Sequence, residues 1–189
     1  MAATALLMPP EQRRFDTGSF VRAALIVVPG ILLAGGLVAR IAGSTDANPW
    51  YQSLILPAFQ PPGPLFGIAW AILYTLIGVA LALVWGTRGG AGTPIVPQRR
   101  LALFLFGLGL AVNFAWSPLF FRLHMIAAAL GVIVVMLVLA LATTWAFARV
   151  NRLAGWLMVP YCGWLCFAGL LNARILMLNP MADAMQLGV

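Results

Sequence analysis

The 189-residue chain is 63% hydrophobic and 8% charged, with a mean hydropathy of +1.01. A soluble domain is usually about 45–50% apolar and about 25% charged, so this composition excludes a cytosolic enzyme with a polar surface, a disulfide-built secreted module and a disordered tail. The net charge of +7 comes from eleven arginines, with no lysine, against Glu11, Asp16, Asp46 and Asp183. These cations stand in ones and twos between long apolar runs, as residues flanking membrane spans do, and not on the single basic face that nucleic-acid binding needs.

The first ten residues are apolar but too short, and they precede Arg13 and Arg14 instead of following them, so they do not read as a cleaved signal. Five apolar segments come next, over Phe20–Ala42, Pro64–Trp85, Leu101–Phe121, Met125–Ala148 and Leu153–Leu178. Each is close to the ~20 residues that carry a helix across about 30 Å of hydrocarbon, and none shows the alternation of a barrel strand. The expected fold is all-α, a polytopic membrane protein built as a five-transmembrane-helix bundle. Residues 1–19 form an N-terminal tail, 20–180 the membrane domain and 181–189 a C-terminal tail.

The connections differ in kind. Gly43–Gly63 is the longest and carries Trp50, Tyr51, Phe59 and prolines at 49, 57, 61 and 62, so its disordered alternative has little entropy to gain. Gly86–Gln98 reads as a plain connector, and the joints at Arg122–His124 and Arg149–Arg152 are short. With five spans, Arg13, Arg14, Arg22, Arg88, Arg99, Arg100, Arg149 and Arg152 share one side, against Arg40, Arg122 and Arg174 on the other. The arginine-rich side, with the N-terminus, is expected to be cytoplasmic; the aromatic loop and the C-terminus then face the opposite side.

Catalytic chemistry is sparse. No acid falls inside a span, His124 is the sole histidine, and Cys162 and Cys166 lack the partners of a metal site. No nucleophile–base pair or phosphate loop is present, and neither cofactor nor metal is expected. The resource is aromatic, with seven tryptophans. Trp85, Trp145 and Trp156 lie near span ends and suit the interfacial belt. Asn113, Trp116 and Ser117 share one helical face, and Trp164, Ala168 and Asn172 share another. Polar residues in spans turn inward. Two readings stand here: an apolar cavity with a few polar contacts, or helices packed by interhelical hydrogen bonds.

Three motifs carry a resemblance. Trp50-Tyr51, Pro61-Pro62 and the run Phe66, Trp70, Tyr74 resemble the start of the second helix in the translocator protein family, also called the tryptophan-rich sensory proteins, TspO/MBR. Asn113-Phe114-Ala115-Trp116-Ser117-Pro118-Leu119-Phe120-Phe121 is similar to its third-helix signature, and Pro160-Tyr161, Trp164, Ala168 and Leu171-Asn172 to its fifth. The resemblance implies a five-helix bundle, often a homodimer, whose pocket opens toward the first loop and binds porphyrins such as protoporphyrin IX, sterols and benzodiazepine-type ligands. By position, Trp50 and Tyr51 belong to the lid, Trp70 to the motif beneath it, and Asn113, Trp116, Phe120, Trp164, Ala168 and Leu171 to the pocket wall. Ala58, Phe59 and Pro64 stand where members often carry Trp, Gly109 where Gln is common, and Ala173 where the sterol pattern needs Tyr. The expected function is a membrane-embedded binding protein or sensor for porphyrin-like ligands, with transport of such ligands or their light-dependent breakdown as the alternatives.

Overall fold

The computed structural model describes residues 13–89 and 95–183, so Glu11 and most of the N-terminal tail, part of the second connection and the end of the C-terminal tail lie outside the described residues. The elements in order are β1 (Arg13–Phe15), α1 (Thr17–Ala42), α2 (Pro49–Gln52), α3 (Gly63–Gly86), β2 (Thr87–Gly89), α4 (Ile95–Ser117), α5 (Ile126–Val150) and α6 (Arg152–Leu178). The five long helices are each long and apolar enough to cross a membrane. The chain is thus an integral, multi-pass membrane protein. Its lipid-facing surface is apolar, as the bilayer requires; Leu33 on α1 is 74% exposed.

Helix ends follow local chemistry. Helix α1 starts three residues before the hydropathy boundary because Asp16 caps it: Asp16 Oδ1 accepts from the Ser19 N–H at 2.9 Å, and Oδ2 from the Ser19 hydroxyl at 2.8 Å. It ends at Gly43, whose φ of 68° is the left-handed conformation that lets the Ser44 N–H reach back to the Ala39 carbonyl. Helix α4 begins at Ile95, six residues ahead of the apolar run, carrying Arg99 and Arg100 in its first turns. At its other end Pro118 has no N–H to continue the ladder, and the chain widens into a π-helical turn, Pro118–Arg122, closed by Leu123 N–H to Pro118 C=O at 3.0 Å.

The second connection is more than a plain connector. Its first residues form β2, which pairs antiparallel with β1, Arg14 facing Arg88. The Asp16 N–H adds a bond to the Gly86 carbonyl at 2.9 Å, and Arg88 reaches Asp16 at 3.1 Å and the Ser19 hydroxyl at 2.7 Å. At the same end Trp85 and Trp145, both half-exposed, lie under the guanidinium groups of Arg99 (5.2 Å) and Arg149 (4.7 Å).

Packing runs α1 on α3, α3 on α6, α6 on α5 and α5 on α4, while the seams joining α4 to α1 and α3 are sparse. Most buried side chains, among them Leu73, Phe106, Phe147 and Leu165, form one core between α3 and the last three helices. A second cluster, around Leu54, Phe120, Ile126 and Leu171, sits under the first loop. The cavity lies where these two clusters meet the loose α4 seam.

Candidate functional site

A cavity of about 820 Å³ is bounded by all five long helices and by the first loop. That is within the ~300–1,000 Å³ usual for small-molecule sites. Nine of its lining side chains are aromatic rings. Trp70 of α3 meets Trp164 of α6 edge-on at 6.3 Å, and Phe66 meets the same indole at 5.8 Å. Trp116 of α4 stacks on Phe120 at 5.2 Å and 19°; the π-helical turn holds Phe120 almost fully buried against it. Between the ring walls, Ala168 and Leu171 line the α6 side. Gly35 of α1 lies against Tyr74, and a Cβ there would run into the tyrosine ring.

Beneath the rings is a polar chain. The Tyr74 hydroxyl donates to Asn113 Oδ1 at 2.9 Å, and Asn113 Nδ2 donates to the Tyr161 hydroxyl oxygen at 3.0 Å, joining α3, α4 and α6. The two readings of the sequence therefore coexist: Asn113 faces the cavity, and its amide packs helices together. Asn172, 2% exposed, donates through Nδ2 to the Ile126 carbonyl at 3.0 Å, tying α6 to the start of α5. Four buried polar atoms of the cavity wall have no hydrogen-bond partner among the described residues: the indole nitrogens of Trp116 and Trp164, Asn172 Oδ1 and Gln60 Oε1.

The first loop covers the cavity. Asn48 caps α2 by accepting from the Tyr51 N–H, and Gln60 donates to the Tyr51 hydroxyl oxygen at 2.6 Å, folding the loop across itself. Burial holds the Tyr51 phenol above its ordinary pKa, helped by the Asp46 carboxylate and opposed by the Gln60 bond. The loop is tied down from the far end of the chain. Asn179, just past α6, accepts the Ile55 N–H at 2.7 Å and donates to the Ile55 carbonyl at 2.9 Å. Asp183, fully buried, accepts the Ala127 N–H at the start of α5.

Of the residues singled out from the sequence, Tyr51, Trp70, Asn113, Trp116, Phe120, Trp164, Ala168 and Leu171 all border this cavity. Trp50 stands behind the wall. Its indole stacks on His124 at 4.2 Å and 17° and meets Phe120 edge-on. His124 presents its ring from a left-handed backbone, φ 57°, for which no sequence signal exists. Gln60, Tyr74, Tyr161 and Asn179 were not assigned these contacts from the sequence. Tyr161 had a usable signal, since it precedes Trp164 by three residues and shares its helical face. The cysteines are free, and no cluster of metal-ligating side chains occurs among the described residues.

The TspO/MBR family profile matches residues 25–178, which takes in most of α1, the other four long helices and the residues that line the cavity. The chain belongs to the TspO/MBR family. It is 37% identical over 151 residues to the tryptophan-rich protein TspO of Chlorobaculum tepidum, covering 80% of this chain and 92% of that one. The tryptophan-rich sensory protein of Cereibacter sphaeroides is 34% identical over 148 residues, 78% of this chain and 88% of its own length. The translocator protein of Bos taurus is 36% identical over 141 residues, or 75% and 81% of the two chains. In this TspO/MBR chain the stretch matched by the profile, 25–178, carries the ring walls and the Tyr74–Asn113–Tyr161 chain alike.

Proposed function

We propose that this TspO/MBR protein is a membrane-embedded binding protein and sensor for porphyrin-like, tetrapyrrole ligands. The observation that carries the reading is the ring-walled cavity of about 820 Å³ under the first loop. Indole faces at Trp70, Trp116 and Trp164 offer stacking surface to a wide aromatic plane. The sensory designation of the Cereibacter sphaeroides relative fits a protein whose loop responds to occupancy. The arginine-rich end, with Arg88, Arg99 and Arg149, is assigned to the cytoplasm, and the covering loop to the opposite side. A homodimer would use the outward face of α4, where Gly107 has open space beside it and Ala111 follows four residues on.

The test is a tryptophan-fluorescence titration of the detergent-purified protein with protoporphyrin IX in the dark. Saturable quenching at micromolar ligand, weakened in Trp164→Phe and Asn113→Ala, is the expected result. Linear quenching that is identical in the variants would mean partition into the micelle and would end the porphyrin reading. A second reading, light-dependent breakdown of the bound ligand, draws on the unbroken ring contacts Trp164–Trp70–Tyr74, at 6.3 and 5.1 Å. Loss of porphyrin absorbance under illumination but not in darkness separates it from simple binding.

A further inference from the structure

We infer that the β1–β2 clip at the arginine-rich end binds the phosphate of an acidic phospholipid, against the corner where α1 and α3 are joined. This site is separate from the cavity and does not depend on what the cavity holds.

The fold gathers the cations. Arg14 and Arg88 are directly opposed in the β1–β2 pair, and opposed residues of an antiparallel pair leave on one face, side by side. Arg22 comes in from the second turn of α1, its Nη2 3.4 Å from the Ser19 hydroxyl oxygen, which also accepts from Arg88 at 2.7 Å. Three guanidinium groups thus share a corner with one carboxylate, and Asp16 is the only acid at this end among the described residues. Both Asp16 oxygens are engaged already. Oδ1 accepts from the Ser19 N–H, and Oδ2 from the Ser19 hydroxyl and from Arg88. Like charges opposed across a strand pair repel, so the corner favours a second anion. All three arginines are exposed, Arg88 over 55% of its side chain, and an anion from outside can touch them. Phosphate suits the guanidinium fork, which offers paired N–H groups.

The apolar ground beside the cations makes the phosphate a lipid's. Phe15 follows Arg14, Val21 precedes Arg22 and Trp85 stands three residues before Arg88; they are 49%, 44% and 47% exposed. Trp85 closes a membrane-crossing helix, where an indole marks headgroup level. A free phosphate answers the arginines alone. A phospholipid answers both needs, with its headgroup on the guanidinium groups and an acyl chain along the exposed apolar side chains. Bound there, it bridges Arg14 and Arg22 on the α1 side to Arg88 on the α3 side.

The test is native mass spectrometry of the full chain in detergent, with phosphatidylglycerol and phosphatidylcholine of identical acyl chains added in equal amounts. Phosphatidylglycerol should be retained in preference. Its apparent affinity should fall about fivefold in Arg14→Gln and about fivefold in Arg22→Gln, the factor that one cation near the surface contributes toward acidic lipid. Both side chains are exposed, so neither change disturbs the helix packing. Arg152→Gln removes an exposed arginine at the same end that makes no bond to Asp16 or Ser19, and it should leave retention nearly unchanged. An equal loss in Arg152→Gln would mean diffuse attraction to a positive surface and would overturn the site. Equal retention of the two lipids would overturn it too. Glycerophosphoglycerol is the same headgroup without acyl chains; if it displaces phosphatidylglycerol at matched concentration, the corner takes soluble anions and the lipid assignment fails.

Discussion

Replacing Asn179 with alanine cuts a pair of side-chain hydrogen bonds between the covering loop and the end of α6. Two bonds to the loop are lost, Ile55 N–H to Oδ1 at 2.7 Å and Nδ2 to the Ile55 carbonyl at 2.9 Å, along with a third, local one from Nδ2 to the Ile175 carbonyl at 2.8 Å. A protein hydrogen bond contributes about 0.5–1.5 kcal/mol net, which bounds the pair at about 1–3 kcal/mol. The lower part of that range applies, because the Ile55 side chain is 62% exposed and its freed backbone groups can turn to water. A loss of about 1–2 kcal/mol raises the open population of the loop about 5–30-fold. Hydrogen exchange reads this directly: the Ile55 amide should exchange faster by that factor, while amides in the middle of α3 and α5 keep their protection. Asn179→Asp should fall between, since a carboxylate still accepts from Ile55 N–H but cannot donate to its carbonyl. Unchanged exchange at Ile55 would refute the tie, and uniform loss of protection through all helices would show that Asn179 stabilises the bundle rather than the loop.

Two further outcomes follow from the geometry. The Asp16 carboxyl is held below its ordinary range by the Ser19 N–H and hydroxyl, with Arg88 and Arg22 adding to the effect. Its folded-state pKa is depressed, so its contribution is complete above the unfolded value of about 3.9 and disappears as pH falls through the lower folded value. Thermal melts in detergent should thus lose stability below about pH 4, and Asp16→Asn should flatten that part of the curve. Gly35→Ala should force the Tyr74 ring away and cost about 1–3 kcal/mol by overpacking, seen as a lowered Tm. Gly35→Ala combined with Tyr74→Ala should relieve the clash, and a double variant no better than the sum of the singles would argue against the contact.

The five helices were legible because hydropathy over ~20 residues is a property of each segment alone. Boundaries slipped where a polar side chain acts at the edge of a span: Asp16 caps α1 from within a stretch that composition assigns to the tail, and Arg99 and Arg100 ride on the first turns of α4. The cavity wall was legible through shared helical faces and through the family motifs, which together lead to Trp116, Asn113 and Trp164. Long-range partners were not. Nothing local marks Arg13–Phe15 as the mate of Thr87–Gly89, since three-residue strands have no usable alternation. Asn179 and Asp183 follow the last apolar run with no pattern to mark a partner; only the folded chain brings them against Ile55 and Ala127. Trp50 lies in the covering loop with Tyr51, as its position implied; its stacking on the His124 ring depends on a left-handed backbone that no local pattern announces.

The short β1–β2 pair has a mechanical consequence for the site. Helices α1 and α3 are joined at one end by this clip and at the other by the covering loop, so the two form a closed frame. Extensive packing between them stiffens its long sides. A frame of this kind resists splaying, because its sides are held at both corners. The α4 seam is held more lightly: its contacts with α1 and α3 are few, and the Tyr74–Asn113 bond is the tie that crosses it to α3 among the described hydrogen bonds. Any swelling of the cavity to admit a bulky guest therefore falls on α4, which also carries Asn113 and Trp116. An outward step of that one helix would carry both residues away from a rail that stays put.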